Sequence, residues 1–245
     1  MASSQWYGFP CVLDPCRPGA GLKAATTERL RPIYTYRDCE YQLLEELPEA
    51  ARVLDLGCSK GANLPILQGM GRSIFGLDVS MLDVRSAHKI CPVTAGAGES
   101  LPFGADTFDF VYASHVLHHA QCSSVLREVH RVLRPGGVFF VIESVEDSPV
   151  MRLARNVYPK WGPYPVRSRF RFEELVTDLE GSGFLIQKKE QFNLFYWIWE
   201  VPQLLLRPME LLIPLVVRAE VAAVCRWRRF AAHCFVVATK SASAG

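Results

Sequence analysis

The stretch Val53-Leu54-Asp55-Leu56-Gly57-Cys58-Ser59-Lys60-Gly61-Ala62-Asn63-Leu64 decides how this chain reads. It opens as an apolar strand and passes into a loop of small residues, with Asp55 just ahead of the first glycine. A strand feeding a glycine-rich turn is how open α/β sheets grip a nucleotide-like ligand. The glycines here are spaced GxxxG, whereas a dinucleotide loop uses GxGxxG to bring backbone amides and a helix N-terminus onto a pyrophosphate. Asp55 beside the loop would repel a pyrophosphate and suits a cationic ligand. A second apolar run, Ser73 to Asp78 (SIFGLD), ends in a carboxylate 21 residues after Gly57. A carboxylate at that place can accept both hydroxyls of a ribose. The pattern therefore asks for a ribose-bearing ligand with positive charge and no phosphate.

Working outward, the periodicity predicts strands over Arg52–Leu56, Ser73–Asp78, Pro92–Ala95, Phe108–Ser114, Val138–Glu143, Phe184–Phe192 and Phe230–Thr239. Between them it predicts helices over Thr35–Leu47, from Asn63 with Pro65 in the first turn, and over Ser80–Lys89, Ser123–Leu133 and Arg171–Leu179. Arg134-Pro135-Gly136-Gly137 reads as a turn. Strands alternating with helices imply an α/β fold with a doubly wound, mostly parallel seven-stranded sheet, Rossmann-like, preceded by N-terminal helices. Residues 1–245 are expected to form a single domain, with a loose segment over 1–30, a lid-like insertion over 145–172 and an apolar insertion over 193–229. Ligands of such sheets sit at the carboxyl ends of the strands, near the point where strand order reverses.

Four motifs in order resemble the class I S-adenosylmethionine-dependent methyltransferases, in particular the small-molecule group similar to ubiquinone/menaquinone methyltransferases. They are VLDLGCSKG, GLDVS, GESLPFGADTFDFVYASHVLHH and LREVHRVLRPGGVFFVIES, and they cover Arg52 to Val141 and its flank. The resemblance implies S-adenosyl-L-methionine as cofactor and S-adenosyl-L-homocysteine as product. It implies that Asp55, Gly57, Cys58, Ser59 and Gly61 line the methionine part of the cofactor, and that Asp78 holds the ribose. Val79 and Met81 would lie against the adenine, Gly98, Glu99 and Ser100 at its edge, and Ser114 and His115 toward the sulfonium and acceptor. Two positions depart from the family pattern. Ser59 stands where glycine is usual, so the turn either avoids a left-handed conformation there or carries strain. Ala97 stands where relatives carry an aspartate to the adenine, leaving Glu99 or a backbone carbonyl for that contact.

His115, His118 and His119 follow the fourth strand and are the candidate catalytic residues. Histidine titrates near neutrality and can serve as a general base; equally, Leu117-His118-His119 can simply begin a helix. The segment from Ser148 to Phe172 carries Arg152, Arg155, Lys160, Arg167, Arg169 and Arg171, and reads either as a cover for an anionic acceptor or as a solvated basic loop. In the 193–229 insertion, Phe195, Tyr196 and Trp199 continue a helical stripe from Phe192. That stripe suits ordinary packing or a homodimer interface, and equally a wall for a hydrophobic acceptor or shallow peripheral membrane contact.

The bulk numbers exclude several classes. Net charge is +2, and no Asn/Asp-Pro-Pro-Tyr/Phe motif follows the fourth strand, so nucleic acid is not expected as a partner. The most apolar region, Phe192 to Cys225, is broken by Glu200, Arg207, Glu210, Arg218 and Glu220, whereas a spanning helix needs ~20 nearly uncharged residues. The eight cysteines form no CxxC pair or zinc-like spacing, so no metal site is expected. Buried thiols and the lack of a leader-like N-terminus point to the cytoplasm. The expected function is methyl transfer to a small, hydrophobic, natural-product, quinone or lipid-like acceptor. The rivals are a protein methyltransferase and a non-catalytic cofactor-binding scaffold of the same fold.

Overall fold

The structure is a computed structural model and describes residues 51–61, 64, 73–149, 152–153, 167, 169–192, 223, 226–227 and 230–241. The expected helices over 35–47 and from 63, the 1–30 segment, most of the basic segment and nearly all of the 193–229 insertion lie outside these residues. So do the proposed dimer and membrane faces.

Seven strands form one sheet: β1 (Arg52–Leu56), β2 (Ser73–Asp78), β3 (Val93–Ala95), β4 (Phe108–Ser114), β5 (Leu133–Ser144), β6 (Phe184–Phe192) and β7 (His233–Lys240). Their order across the sheet is β3-β2-β1-β4-β5-β7-β6. The pairs β1–β2, β1–β4, β2–β3 and β4–β5 are parallel, and β7 runs antiparallel to both β5 and β6. The chain leaves β1 toward β2 and β3, then returns to place β4 on the other side of β1. The switch point therefore lies between β1 and β4, where the register aligns Leu56 with Ala113.

Both faces of the sheet are covered, which is why the central strands read as continuous apolar runs instead of alternating ones. Successive side chains of β4 and β5 enter two cores in turn: Val111, Ala113, Phe139 and Val141 in one, Phe110, Tyr112, Phe140 and Ile142 in the other. In the second core, aromatic rings stack across three strands, Phe110 to Phe140 at 6.5 Å, Tyr112 to Phe140 at 5.8 Å and Phe140 to Phe235 at 5.8 Å. Full burial of each such side chain stabilises by roughly 1.5–3 kcal/mol.

Three α-helices are described: α1 (Met81–Ala87), α2 (Cys122–Val132) and α3 (Phe172–Gly181). Ser80 caps α1, its Oγ accepting from the Asp83 amide at 3.3 Å. α2 buries Cys122, Val125, Leu126, Val129 and Val132, the spacing of one helical face. The expected turn at Arg134–Gly137 is taken up inside β5. Phe108 pairs with Leu133 and Phe110 with Val138, so residues 134–137 bulge out opposite Asp109 alone. Gly136 supplies the positive φ of 77° that the bulge requires. Asp109 then holds it in place, accepting from Arg134 Nη1 at 2.7 Å and from the Arg52 amide at 2.8 Å. Among the described residues no helix is long and apolar enough to cross a membrane.

Candidate active site

The loop after β1 is tied to β2 through its backbone. The amides of Gly57 and Cys58 both donate to the Leu77 carbonyl, at 2.7 and 3.1 Å. Gly57 has φ 74°, and a Cβ there would stand 2.2 Å from Val116 Cγ2, so only glycine lets the loops after β1 and β4 close on each other. Gly61 likewise has φ 85°. Ser59 is left-handed too, with φ 48°, so this loop carries strain where a glycine would not.

That strained turn points the Ser59 amide at Asp78. Its N–H donates to Asp78 Oδ2 at 2.8 Å, while the Ser80 amide donates to Oδ1 at 2.8 Å. Asp78 is half-buried and held by the backbone on both sides. Each carboxylate oxygen offers two acceptor sites, so one on each oxygen remains for another donor such as a ribose hydroxyl. Val79, Met81 and Leu82 stand 61%, 55% and 75% exposed next to it, an apolar shelf of the kind a flat aromatic base covers. Small loop residues, a fixed carboxylate and an apolar shelf fit the adenosine part of S-adenosylmethionine.

The other expected cofactor residues are spread over several roles. Asp55 is buried. The Cys58 thiol is buried in the core with Val93, and a Cβ at Gly76 would stand 2.9 Å from its sulfur. Burial first, then the charges of Asp55 and Asp78, push that thiol up to about 12, so it stays protonated and donates to the Ser59 carbonyl at 3.8 Å. Gly98 is buried against Val125. The Glu99 carboxylate accepts from the Gln121 amide at 3.0 Å and so caps α2. Ser100 and Ala97 are exposed and joined by a backbone hydrogen bond of 3.1 Å.

Beyond Ser114, at the end of β4, the chain turns sharply. His115 has φ 57°, and its amide donates to the Ile142 carbonyl of β5 at 2.9 Å. Leu117–His119 forms one 3₁₀ turn and does not begin the following helix, which starts at Cys122, one residue before the expected Ser123. The three histidines come together here, the rings of His115 and His118 6.2 Å apart and those of His118 and His119 3.9 Å apart. Two residues that sequence reasoning missed complete the group. Glu143, fully buried at the end of β5, accepts from the Leu117 amide at 2.6 Å and lies 2.7 Å from His118 Nδ1. His233, at the start of β7, places its ring 5.1 Å from that of His115. The signal for Glu143 was a lone carboxylate closing the apolar run VFFVI. His233 had no signal, because only the β5–β7 register brings it near. The basic segment passes this group: the Arg167 amide donates to the His118 carbonyl at 2.7 Å, and Arg169 pairs with Glu146 at 3.3 Å.

An open sheet of this order, with a glycine loop after β1 and a carboxylate ending β2, is the arrangement of the methyltransferase class of α/β proteins. Residues 54–141 match a methyltransferase domain family, and the chain has the fold of the class I S-adenosylmethionine-dependent methyltransferases. It is 39% identical to an uncharacterized methyltransferase of Synechocystis over 38% of this chain and 46% of that protein. It is 31% identical to a demethylmenaquinone methyltransferase of Corynebacterium kroppenstedtii over 45% of this chain and 48% of that protein. The match thus spans about half the length of these curated relatives. Its fold is similar to that of an S-adenosylmethionine-dependent methyltransferase from Mesorhizobium loti, with TM-score 0.56 and 20% identity over 82% of this chain and 96% of that one.

Proposed function

We propose that this chain methylates a small, hydrophobic acceptor using S-adenosylmethionine, and releases S-adenosylhomocysteine. The observation that carries the reading is Asp78, clamped by the Ser59 and Ser80 amides beside an apolar shelf. The cofactor supplies an electrophilic methyl group on a sulfonium. The chain's part is to bind and align. Gly57 and Gly61 leave room for the methionine part, Asp78 holds the ribose, and Val79 and Met81 cover the adenine. Ser114 and His115 leave β4 toward the acceptor, and His118 and His119 flank it. Alignment and exclusion of water supply much of such a rate enhancement. The demethylmenaquinone methyltransferase relative supports a quinone-like or similarly apolar acceptor. The exposed Arg167, whose backbone is tied to the His118 turn, supports an anionic group on that acceptor.

The test is calorimetric titration with S-adenosylmethionine and S-adenosylhomocysteine. Asp78→Ala should weaken both by at least about 100-fold, because two hydrogen bonds to a charged group contribute roughly 1.5–3 kcal/mol each. Unchanged affinity in a variant that melts like the parent would sink the assignment.

A further inference from the structure

The geometry points to a divalent metal site formed by His115, His118 and Glu143, at the carboxyl ends of β4 and β5. One ligand atom from each of the three lies within 4.8 Å of the others. Donor atoms around a tetrahedral zinc ion, at bonds of about 2.0–2.2 Å, sit about 3.4 Å apart. Closing the trio onto an ion therefore asks for side-chain rotations of about an ångström and no movement of the sheet.

Three further observations favour a cation here. First, Glu143 is fully buried, and among the described residues His118 is the only cation-capable side chain within ion-pair distance of it. A buried carboxylate needs compensating charge, and one imidazole with one backbone amide is a thin supply. An ion would stand between Glu143 Oε2 and the His118 ring, which now approach to 2.7 Å, while the Leu117 amide keeps orienting Oε1. That amide then acts as the outer support that fixes a metal-binding carboxylate. Second, His115 holds a left-handed backbone, φ 57°, and a strained non-glycine residue at such a place marks a side chain whose direction matters. Third, four of the chain's six histidines, His115, His118, His119 and His233, gather at this one end of the sheet.

Two imidazoles and one carboxylate select ions of the zinc, cobalt, nickel and iron(II) type over magnesium and calcium, which take oxygen ligands. Three protein ligands leave a position open, as sites that meet a substrate do. With the acceptor beside these residues, as proposed above, an acceptor oxygen is the natural fourth ligand. Only that last step rests on the methyl-transfer reading; the metal site itself does not.

The experiment uses the full chain without a histidine tag, stripped by chelator and titrated with Zn²⁺ by calorimetry, with Co²⁺ absorption as a second readout. One equivalent of Zn²⁺ should bind, and excess Mg²⁺ should not displace it. His115→Ala, His118→Ala and Glu143→Gln should each weaken binding by about tenfold or more. His88→Ala, at the exposed end of α1, should not. Should the buried Glu143→Gln variant fail to fold, the half-buried His115 and His118 variants decide alone. Absence of stoichiometric Zn²⁺ binding, equal binding in all variants, or equal filling by Mg²⁺ would overturn the site. S-adenosylmethionine titration of the parent chain separates the two readings: no cofactor binding with intact Zn²⁺ binding would remove the proposed function and leave the metal site standing.

Discussion

At the scale of single residues, Ser59 shows how a cofactor loop can depart from its family's glycine and keep its shape. Its φ of 48° costs an L-residue roughly 1–3 kcal/mol. Glycine would remove that cost and add about 0.5–1 kcal/mol of unfolded-chain entropy. Ser59→Gly should therefore stabilise the protein by up to about 2.5 kcal/mol in urea denaturation, with the amide-to-Asp78 hydrogen bond kept. A clear loss of stability would mean that the hydroxyl makes a contact worth more than the strain. The glycine turn at Gly57 and Gly61 and the carboxylate of Asp78 closing a strand were legible in the sequence because they are local, set by one strand end and one turn. Glu143 was not, because its partner His118 lies 25 residues earlier on another strand's loop.

At the scale of elements, α2 and α3 meet the sheet through apolar stripes that the 3.6-residue period predicted. Their junction adds a titratable feature. His130 of α2 stacks edge-on against Phe184 at 5.2 Å and lies over Gly183, where a Cβ would stand 3.0 Å from Nε2. Burial, and then the nearby Lys240 charge, lower its pKa from the ordinary value of 6.5. The folded pKa is thus below the unfolded one, and the unfolded chain takes up the proton first. Stability from this site should be full well above pH 6.5 and fall as the pH drops below it. Melting temperatures measured from about pH 7 to about pH 5 should decline, and His130→Leu should flatten that slope. An unchanged slope would assign the decline to other groups. The bulge at 134–137 belongs to this scale as well. The sequence Arg-Pro-Gly-Gly announced a turn, but whether it ends a strand or bulges out of one depends on the Asp109 partner across the sheet.

At the scale of the whole molecule, β7 joins the sheet's last strand to the rest. β6 pairs with β7 alone, and β7 also covers the full apolar length of β5. A chain ended before His233 would leave β6 with no partner and β5 with an open edge. Cooperative thermal unfolding should be lost, as followed by circular dichroism; a sharp transition in the truncated chain would mean that β1 to β5 fold independently. The parallel arrangement of the first five strands was legible because helices alternate with strands and because runs such as VFFVI in β5 read as apolar on both faces. The reversal of β7 was not legible in its side-chain pattern, since a doubly covered antiparallel strand carries the same apolar run.

By itself, then, the sequence determined the loop, the carboxylate that ends β2, the alternation of strands and helices and the class they imply. Those features rest on local physics: glycine's access to positive φ, the two hydrophobic periods, and the place of a carboxylate at a strand end. Only the tertiary structure decided that His115, His118, His233 and Glu143 converge, that Glu99 accepts from the amide ahead of α2, and that the Cys58 thiol packs in a core. Those outcomes depend on which strands lie side by side and in what register. Hydrogen bonds and burial between residues far apart in the chain set both, and no local pattern of side chains carries that information.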